Sequence, residues 1–291
     1  MRKAELKHLV DTRKHRPGKI AETAAGRERA SSLLGEHGRL MIIAADHPAR
    51  GALRVGDQPL AMADRIELLD RLCLALSRPG VNGLLGTPDI LEDLLLLDAL
   101  HGKVVIGSMN RGGLAGTSFE IDDRFTAYDA ASLAAAGFDG GKMLTRIDPD
   151  DPATAATLAA SAAAVSELAQ RELIAMVEPF ICHRVDGRVR NDLSPEAMIR
   201  AISVASGLGN TSAYTWLKVP CVQDMERVMA ASTLPALILG GEVSADPTAA
   251  LAAWRKALQI PTVQGLVIGR SLLYPPDDDV GAAVDAAVEL L

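Results

Sequence analysis

Aromatic residues are scarce in this 291-residue chain: two Trp, three Tyr and four Phe, 3% of the sequence. So thin a supply argues against a stacking surface for nucleic acid, and it leaves the 48% hydrophobic content to be built largely from Ala, Leu, Val and Ile. Cysteine is scarcer still. Cys73, Cys182 and Cys221 are odd in number, widely spaced and without a C-x-x-C pair, which speaks against a disulfide framework or zinc ribbon and for ordinary thiols in a reducing compartment. No apolar run approaches the ~20 residues that span a bilayer, and the N-terminus lacks the apolar stretch of a signal peptide. A cytoplasmic protein with no membrane contact is therefore expected. A net charge of -7 and a pI near 5.4 disfavour nucleic acid and anionic lipid as partners, so any phosphorylated substrate needs a local cationic site.

Lysine is also in short supply. Of 30 basic residues only eight are Lys, at positions 3, 7, 14, 19, 103, 142, 218 and 256; where positive charge alone is needed, this chain uses Arg. A lysine inside an apolar stretch then stands out, because guanidinium cannot become an amine nucleophile and a desolvated lysine can. Lys218, in Tyr-Thr-Trp-Leu-Lys-Val-Pro, and Lys142, in Gly-Gly-Lys-Met-Leu, are such residues.

What the chain does have is rhythm. After a charged, helix-prone stretch over residues 1–38, which is expected to cover the base of the fold or a partner subunit, eight short apolar runs alternate with Ala/Leu-rich segments. The runs are 40–45, 83–86, 104–108, 140–144, 173–177, 215–219, 236–239 and 265–268; helices are expected over 62–76, 154–171, 195–206 and 247–257. With no break in composition, this predicts an α/β fold, a single closed (β/α)8 TIM barrel over 39–291 with a helical N-terminal extension. The lack of a G-x-G-x-x-G after the first run weighs against an open doubly wound sheet.

Such barrels carry their chemistry at the C-terminal ends of the strands, and here those ends are polar. Asp46 closes the first run, Lys142 lies in the fourth, Glu178 follows the fifth and Lys218 lies in the sixth. Lys218 is the expected nucleophile, with Lys142 as a second cation that tunes it. Glu178 is the expected proton-transfer group, which calls for titration near neutrality, and it also suits a counterion to Lys142. Asp46 is placed to orient the amine or a substrate hydroxyl. Gly240-Gly241 and Gly269-Arg270 end the last two runs, where backbone N–H groups and a guanidinium suit phosphate. Arg50 and Arg111 are further rim cations suited to a carboxylate or second phosphate. Residues 112–128, Gly-rich and acidic, read as a mobile lid. His47 reads as a solvated or satisfied histidine, and the six His show no ligand spacing, so no metal and no cofactor is expected.

In their order these residues, Asp, Lys, Glu-Pro, Lys, Gly-Gly and Gly-Arg, resemble the class I aldolases that include deoxyribose-phosphate, tagatose-bisphosphate and archaeal-type fructose-bisphosphate aldolases, over about residues 40–290. The resemblance implies a metal-independent lyase, commonly a homo-oligomer, in which Lys218 forms the Schiff base, Glu178 is the acid/base and Lys142 the accessory lysine. The first-run motif Asp46-His47-Pro48-Ala49-Arg50-Gly51 departs from the family's Asp-Gln-Arg-Gly or Asp-His-Gly. Relatives with the present version are associated with inositol catabolism, which implies 6-phospho-5-dehydro-2-deoxy-gluconate as one substrate. A deoxyribose-phosphate-type aldolase, a thiolase-like acyl transferase and a non-enzymatic sugar-phosphate sensor remain alternatives.

Overall fold

The computed structural model describes residues 3–35, 38–241 and 246–291. Eight parallel strands close on themselves: β1 (Leu40–Ala44), β2 (Gly83–Gly86), β3 (Val104–Ser108), β4 (Gly140–Ile147), β5 (Ile174–Val185), then β7 (Thr215–Pro220), β8 (Ala236–Leu239) and β9 (Val263–Ile268), with β4–β5 pairing completing the ring. Between β5 and β7 the short β6 (Arg188–Asn191) pairs antiparallel with the outer end of β5. Around the ring lie α3 (Arg65–Ser77), α4 (Pro88–Leu96), α5 (Ala130–Ala135), α6 (Ala153–Ala169), α7 (Pro195–Ser206), α8 (Met225–Met229), α9 (Pro247–Ala257), α10 (Arg270–Leu273) and α11 (Val280–Val288). The chain is a (β/α)8 barrel, as its rhythm predicted. Among the described residues no helix is long and apolar enough to cross a membrane.

Why these runs become parallel strands is visible in their burial. Every residue of β1 to β4 is buried, as befits strands covered on both faces. Successive side chains then divide between two cores. Met41, Ile43, Leu84 and Val105 face the helices, while Leu40, Ile42, Ala44, Val104, Ile106, Ile174, Met176 and Val267 fill the barrel interior. One close approach seals the ring: a Cβ on Gly265, whose φ is +144°, would lie 2.0 Å from the Leu40 carbonyl oxygen on β1.

Before the barrel come α1 (Lys3–His15) and α2 (Lys19–Gly26). Arg13 pairs with Glu92 and Asp93 of α4 at 2.8 Å each, and α2 packs on the same helix. The base of the barrel is closed not by these helices but by the stretch after them. Buried Arg27 donates to the carbonyls of Leu100, Lys103 and Gly137, and Ala30, Leu33 and Leu34 pack against the interior cluster.

Two strands run well past their expected ends. β4 continues to Ile147 and β5 to Val185, where Asp186 (φ 50°) and Gly187 (φ 75°) turn the chain into β6. A two-residue Asp-Gly turn with both φ positive matches the twist of a hairpin.

Candidate active site

The two-residue period that fills the barrel also builds the site. Leu40, Ile42 and Ala44 point inward, and two residues on the same face supplies Asp46. In the same way Val104 and Ile106 lead to Ser108, Ile174 and Met176 to Glu178, and Trp216 to Lys218. A strand register that buries apolar side chains below therefore delivers charged ones above, at the C-terminal mouth. There a cavity of about 580 Å³ is lined by all ten residues singled out from the sequence: Asp46, Arg50, Arg111, Lys142, Glu178, Lys218, Gly240, Gly241, Gly269 and Arg270.

At its floor the charged groups form one connected chain. Lys218 Nζ lies 3.2 Å from Glu178 Oε1, and the other oxygen of Glu178 contacts Lys142 Nζ. Lys142 Nζ is in turn 3.1 Å from Asp46 Oδ2, which also accepts from Ser108 Oγ at 3.1 Å and faces Arg111 Nη1 at 3.1 Å. Three donors thus crowd one oxygen of Asp46, and the other, Oδ1, faces His47 Nδ1 at 4.0 Å. Lys142, Lys218 and Asp46 are all less than 5% exposed.

Burial of this kind would neutralise isolated charges; here the neighbours decide. Burial pushes the Asp46 carboxyl up, but Lys142, Arg111 and Lys218 hold it well below its ordinary range. Glu178 follows the same pattern: burial raises it, and Lys142 and Lys218 bring it down to about 2. Lys142 is brought down to about 8 by burial, against the pull of Asp46 and Glu178 and with Lys218 and Arg111 repelling its charge. The expected near-neutral titration of Glu178 is therefore corrected. In the resting site Glu178 is held as a carboxylate because it bridges the two lysines, while Lys142 is brought down toward neutrality.

The rim cations are less free than loop arginines generally are. Arg50 donates Nε and Nη2 to the Gly113 carbonyl at 2.9 and 2.7 Å, and burial, with Arg146 and Arg111 close by, lowers it to about 10. Arg111 is locked by the carbonyls of Asn110 and Asp46, and its Nη2 is buried with no hydrogen-bond partner among the described residues. The segment 112–128, expected as a mobile lid, is fastened to the barrel. Buried Arg146 of β4 contacts Glu120 and lies 3.7 Å from Asp123, whose Oδ1 accepts from Gly113 N at 2.9 Å.

The glycines have steric reasons of their own. A Cβ on Gly240 would meet Ile268 at 2.6 Å and Ser271 Oγ at 2.8 Å, and one on Gly269 would meet the Ala44 carbonyl at 2.4 Å. Gly241 is in the left-handed region at φ 70°. Packing and backbone conformation thus account for these positions whether or not an anion binds there.

His47, read from the sequence as a solvated or satisfied histidine, lines the pocket, and four further polar residues of the pocket escaped the sequence reading: Glu120, Arg146, Arg190 and Asn191. Arg146 shares the inward face of β4 with Lys142, four residues on, and was missed because that strand was ended at residue 144. Arg190 and Asn191 ride on the unforeseen hairpin. All three thiols are pushed up by burial, Cys182 to about 12, which is not the setting of an activated nucleophile. Asp148, Asp150 and His183, the one group among the described residues spaced to hold a cation, line none of this cavity.

Comparison with known proteins bears on the fold and the family. Residues 38–288 match the family model described as Cgl0159-like. The crystal structure of Cgl0159 from Corynebacterium glutamicum is 52% identical, covers 100% of this chain and 97% of its own, and superposes with a TM-score of 0.97. A Schiff-base-forming fructose-1,6-bisphosphate aldolase is 19% identical over 93% of this chain and 99% of its own, with a TM-score of 0.65. The fructose-bisphosphate aldolase from Slackia heliotrinireducens is 16% identical over 96% of this chain and 90% of its own, at 0.61. At such identities the likeness to the aldolases is one of fold. No curated protein matches the chain.

Proposed function

The chain belongs to the Cgl0159-like family, and on that footing we propose that it is a class I aldolase that makes or breaks a carbon–carbon bond in a phosphorylated ketose or keto acid through an imine on Lys218. One observation carries this reading: the apolar barrel interior ends in an unbroken run of buried charged groups, Lys218, Glu178, Lys142 and Asp46, each in contact with the next. A structural ion pair needs two partners; a run of four at the mouth of a barrel suits proton movement around a nucleophile.

In this scheme the Lys218 amine adds to the keto carbon. The proton it loses passes to Glu178, whose two oxygens serve both lysines. As Lys218 gives up its charge, one of the two cations holding Glu178 down is gone, so the carboxylate gains proton affinity at the stage that needs it. Once the carbon–nitrogen bond has formed, the nitrogen gives up a second proton by the same route, and the keto oxygen, having taken up both, leaves as water to give the iminium. In cleavage, the electron pair of the carbon–carbon bond flows into the iminium to give an enamine, while a substrate hydroxyl, oriented by Asp46, gives its proton to Glu178 and becomes the aldehyde. Lys142 binds substrate oxygen and keeps Glu178 and Asp46 in place. The backbone of Gly240, Gly241 and Gly269, with Arg270, holds phosphate.

For the substrate itself we favour a carboxylated sugar phosphate, with 6-phospho-5-dehydro-2-deoxy-gluconate of inositol catabolism, cleaved to dihydroxyacetone phosphate and malonate semialdehyde, as the first to try. Arg111 suits its carboxylate better than Arg50 does, since Arg111 has a buried nitrogen with no partner among the described residues while Arg50 already grips Gly113. The test is intact mass after borohydride reduction with and without dihydroxyacetone phosphate, followed by peptide mapping. A ketone-sized adduct on Lys218 is expected; its absence from folded protein with every keto substrate tried refutes the reading.

A further inference from the structure

His47 is one of the pocket residues that the scheme above leaves without a task. Its backbone is fixed by a tight turn, its carbonyl accepting from Arg50 N at 3.1 Å and Ala52 N at 3.3 Å. Its ring leans across to the end of β9, where it would lie 3.0 Å from a Cβ on Gly269. Nδ1 is buried and has no hydrogen-bond partner among the described residues, and it stands 4.0 Å from Asp46 Oδ1, just beyond hydrogen-bond reach. The side chain keeps 24% of its surface exposed, and the residue lines the cavity. A buried nitrogen left unpaired is a cost to the fold, and a histidine kept only for packing has no need to bear it.

The surroundings also fix what the ring is chemically. Burial, with Arg270, Lys218 and Lys142 nearby outweighing the attraction of Asp46, pushes the imidazole down to about 3. A ring that stays neutral adds no charge for an anion. It offers one donor and one acceptor, the complement of an alcohol.

Resting on the Schiff-base reading of Lys218, we infer that His47 is a substrate-binding residue that hydrogen-bonds the hydroxyl on the carbon next to the imine carbon. The ring lies between the Asp46–Lys142–Glu178–Lys218 chain and the Gly269–Arg270 corner, so a ligand joined to Lys218 and reaching that corner with its phosphate passes beside it. Nδ1–H closes the short gap to Asp46 Oδ1 and leaves Nε2 to accept from the substrate hydroxyl. Contacts of this kind commonly tighten only when the pocket is filled. This gives the site a preference for α-hydroxy ketones over plain ones.

Two probes test this: dihydroxyacetone phosphate, and acetol phosphate, the same ketone with its hydroxyl replaced by hydrogen. The readout is the rate of borohydride-trapped adduct on Lys218 at subsaturating ketone. Wild-type protein should favour dihydroxyacetone phosphate by about tenfold, the scale of one neutral hydrogen bond. His47→Leu should lower its rate about tenfold while changing acetol phosphate less than about threefold, and His47→Asn, which keeps a donor and an acceptor, should retain part of the preference. An equal fall for both ketones in both variants means that the ring only packs, and overturns the inference, as does an unchanged preference. If wild-type protein traps neither ketone, this inference is overturned, and the Schiff-base reading falls with it when no other keto substrate gives an adduct; an adduct without hydroxyl preference overturns the inference alone.

Discussion

Replacing Glu178 by Gln keeps the shape of the side chain and removes the charge that joins two buried lysines. In the native site the carboxyl is brought from its ordinary 4.5 to about 2, which at ~1.4 kcal/mol per pH unit is about 3 kcal/mol of stabilisation. Because the folded value is the lower one, this stability is fully present above pH 4.5 and is lost as pH falls through 4.5 toward 2. Glu178→Gln should therefore lower stability at pH 7 by about 3–5 kcal/mol, the range for removing one member of a buried pair, with a thermal midpoint roughly 5–10 °C lower. The gap should narrow as pH drops below 4.5, where the unfolded wild-type chain takes up a proton at Glu178 that the folded site accepts only near 2. Guanidinium unfolding at pH 7 and pH 3 measures both. Adding Lys142→Met should restore part of the loss, since one of the two stranded cations is then gone and the changes are not additive. If the Gln variant unfolds with wild type at pH 7, or if the gap stays constant on acidification, Glu178 is not the electrostatic bridge that its contacts describe.

Lys218→Arg should keep a cation beside Glu178, now 3.2 Å from the lysine, and melt within a few degrees of wild type, yet form no borohydride-trapped adduct because guanidinium cannot add to a ketone; a persisting adduct would place the imine elsewhere. Gly265→Ala, whose Cβ would sit 2.0 Å from the Leu40 carbonyl, should cost more than ~3 kcal/mol or prevent folding. Gly241→Ala, with nothing within 4 Å but a φ of 70°, should cost only about 1 kcal/mol; equal denaturation midpoints for the two would refute the closure argument. Arg270→Leu should weaken binding of inorganic phosphate at least about tenfold by calorimetry, and undiminished phosphate affinity would remove Arg270 from the anion site.

What could be read from the sequence alone was local and periodic. Runs such as 40–45 and 215–219 declared themselves because a strand covered on both faces must be apolar at nearly every position, and Lys218 stood out because a charged group inside such a run needs a reason. The position of polar residues at strand ends followed from the barrel, which is why residues as far apart in sequence as Asp46 and Arg270 could be assigned to one mouth. The Asp186-Gly187 turn was equally legible as a hairpin signal and was passed over, and with it Arg190 and Asn191.

Other features belonged to the tertiary structure. That Glu178 touches both lysines and so stays ionised depends on the rotation of three strands about one axis, and no spacing along the chain encodes it. Arg146 meets Glu120 and Asp123 only because β4 runs past its expected end into the path of a loop. His47 looks like any rim histidine until its ring is found between Asp46 and Gly269 with a buried nitrogen unpaired. Hydrophobic periodicity is set by the nearest turns of the backbone and can be read from neighbours in sequence. Charge state and hydrogen-bond partnership are set by distances of a few ångströms between residues far apart in the chain, and only the closed barrel brings those together.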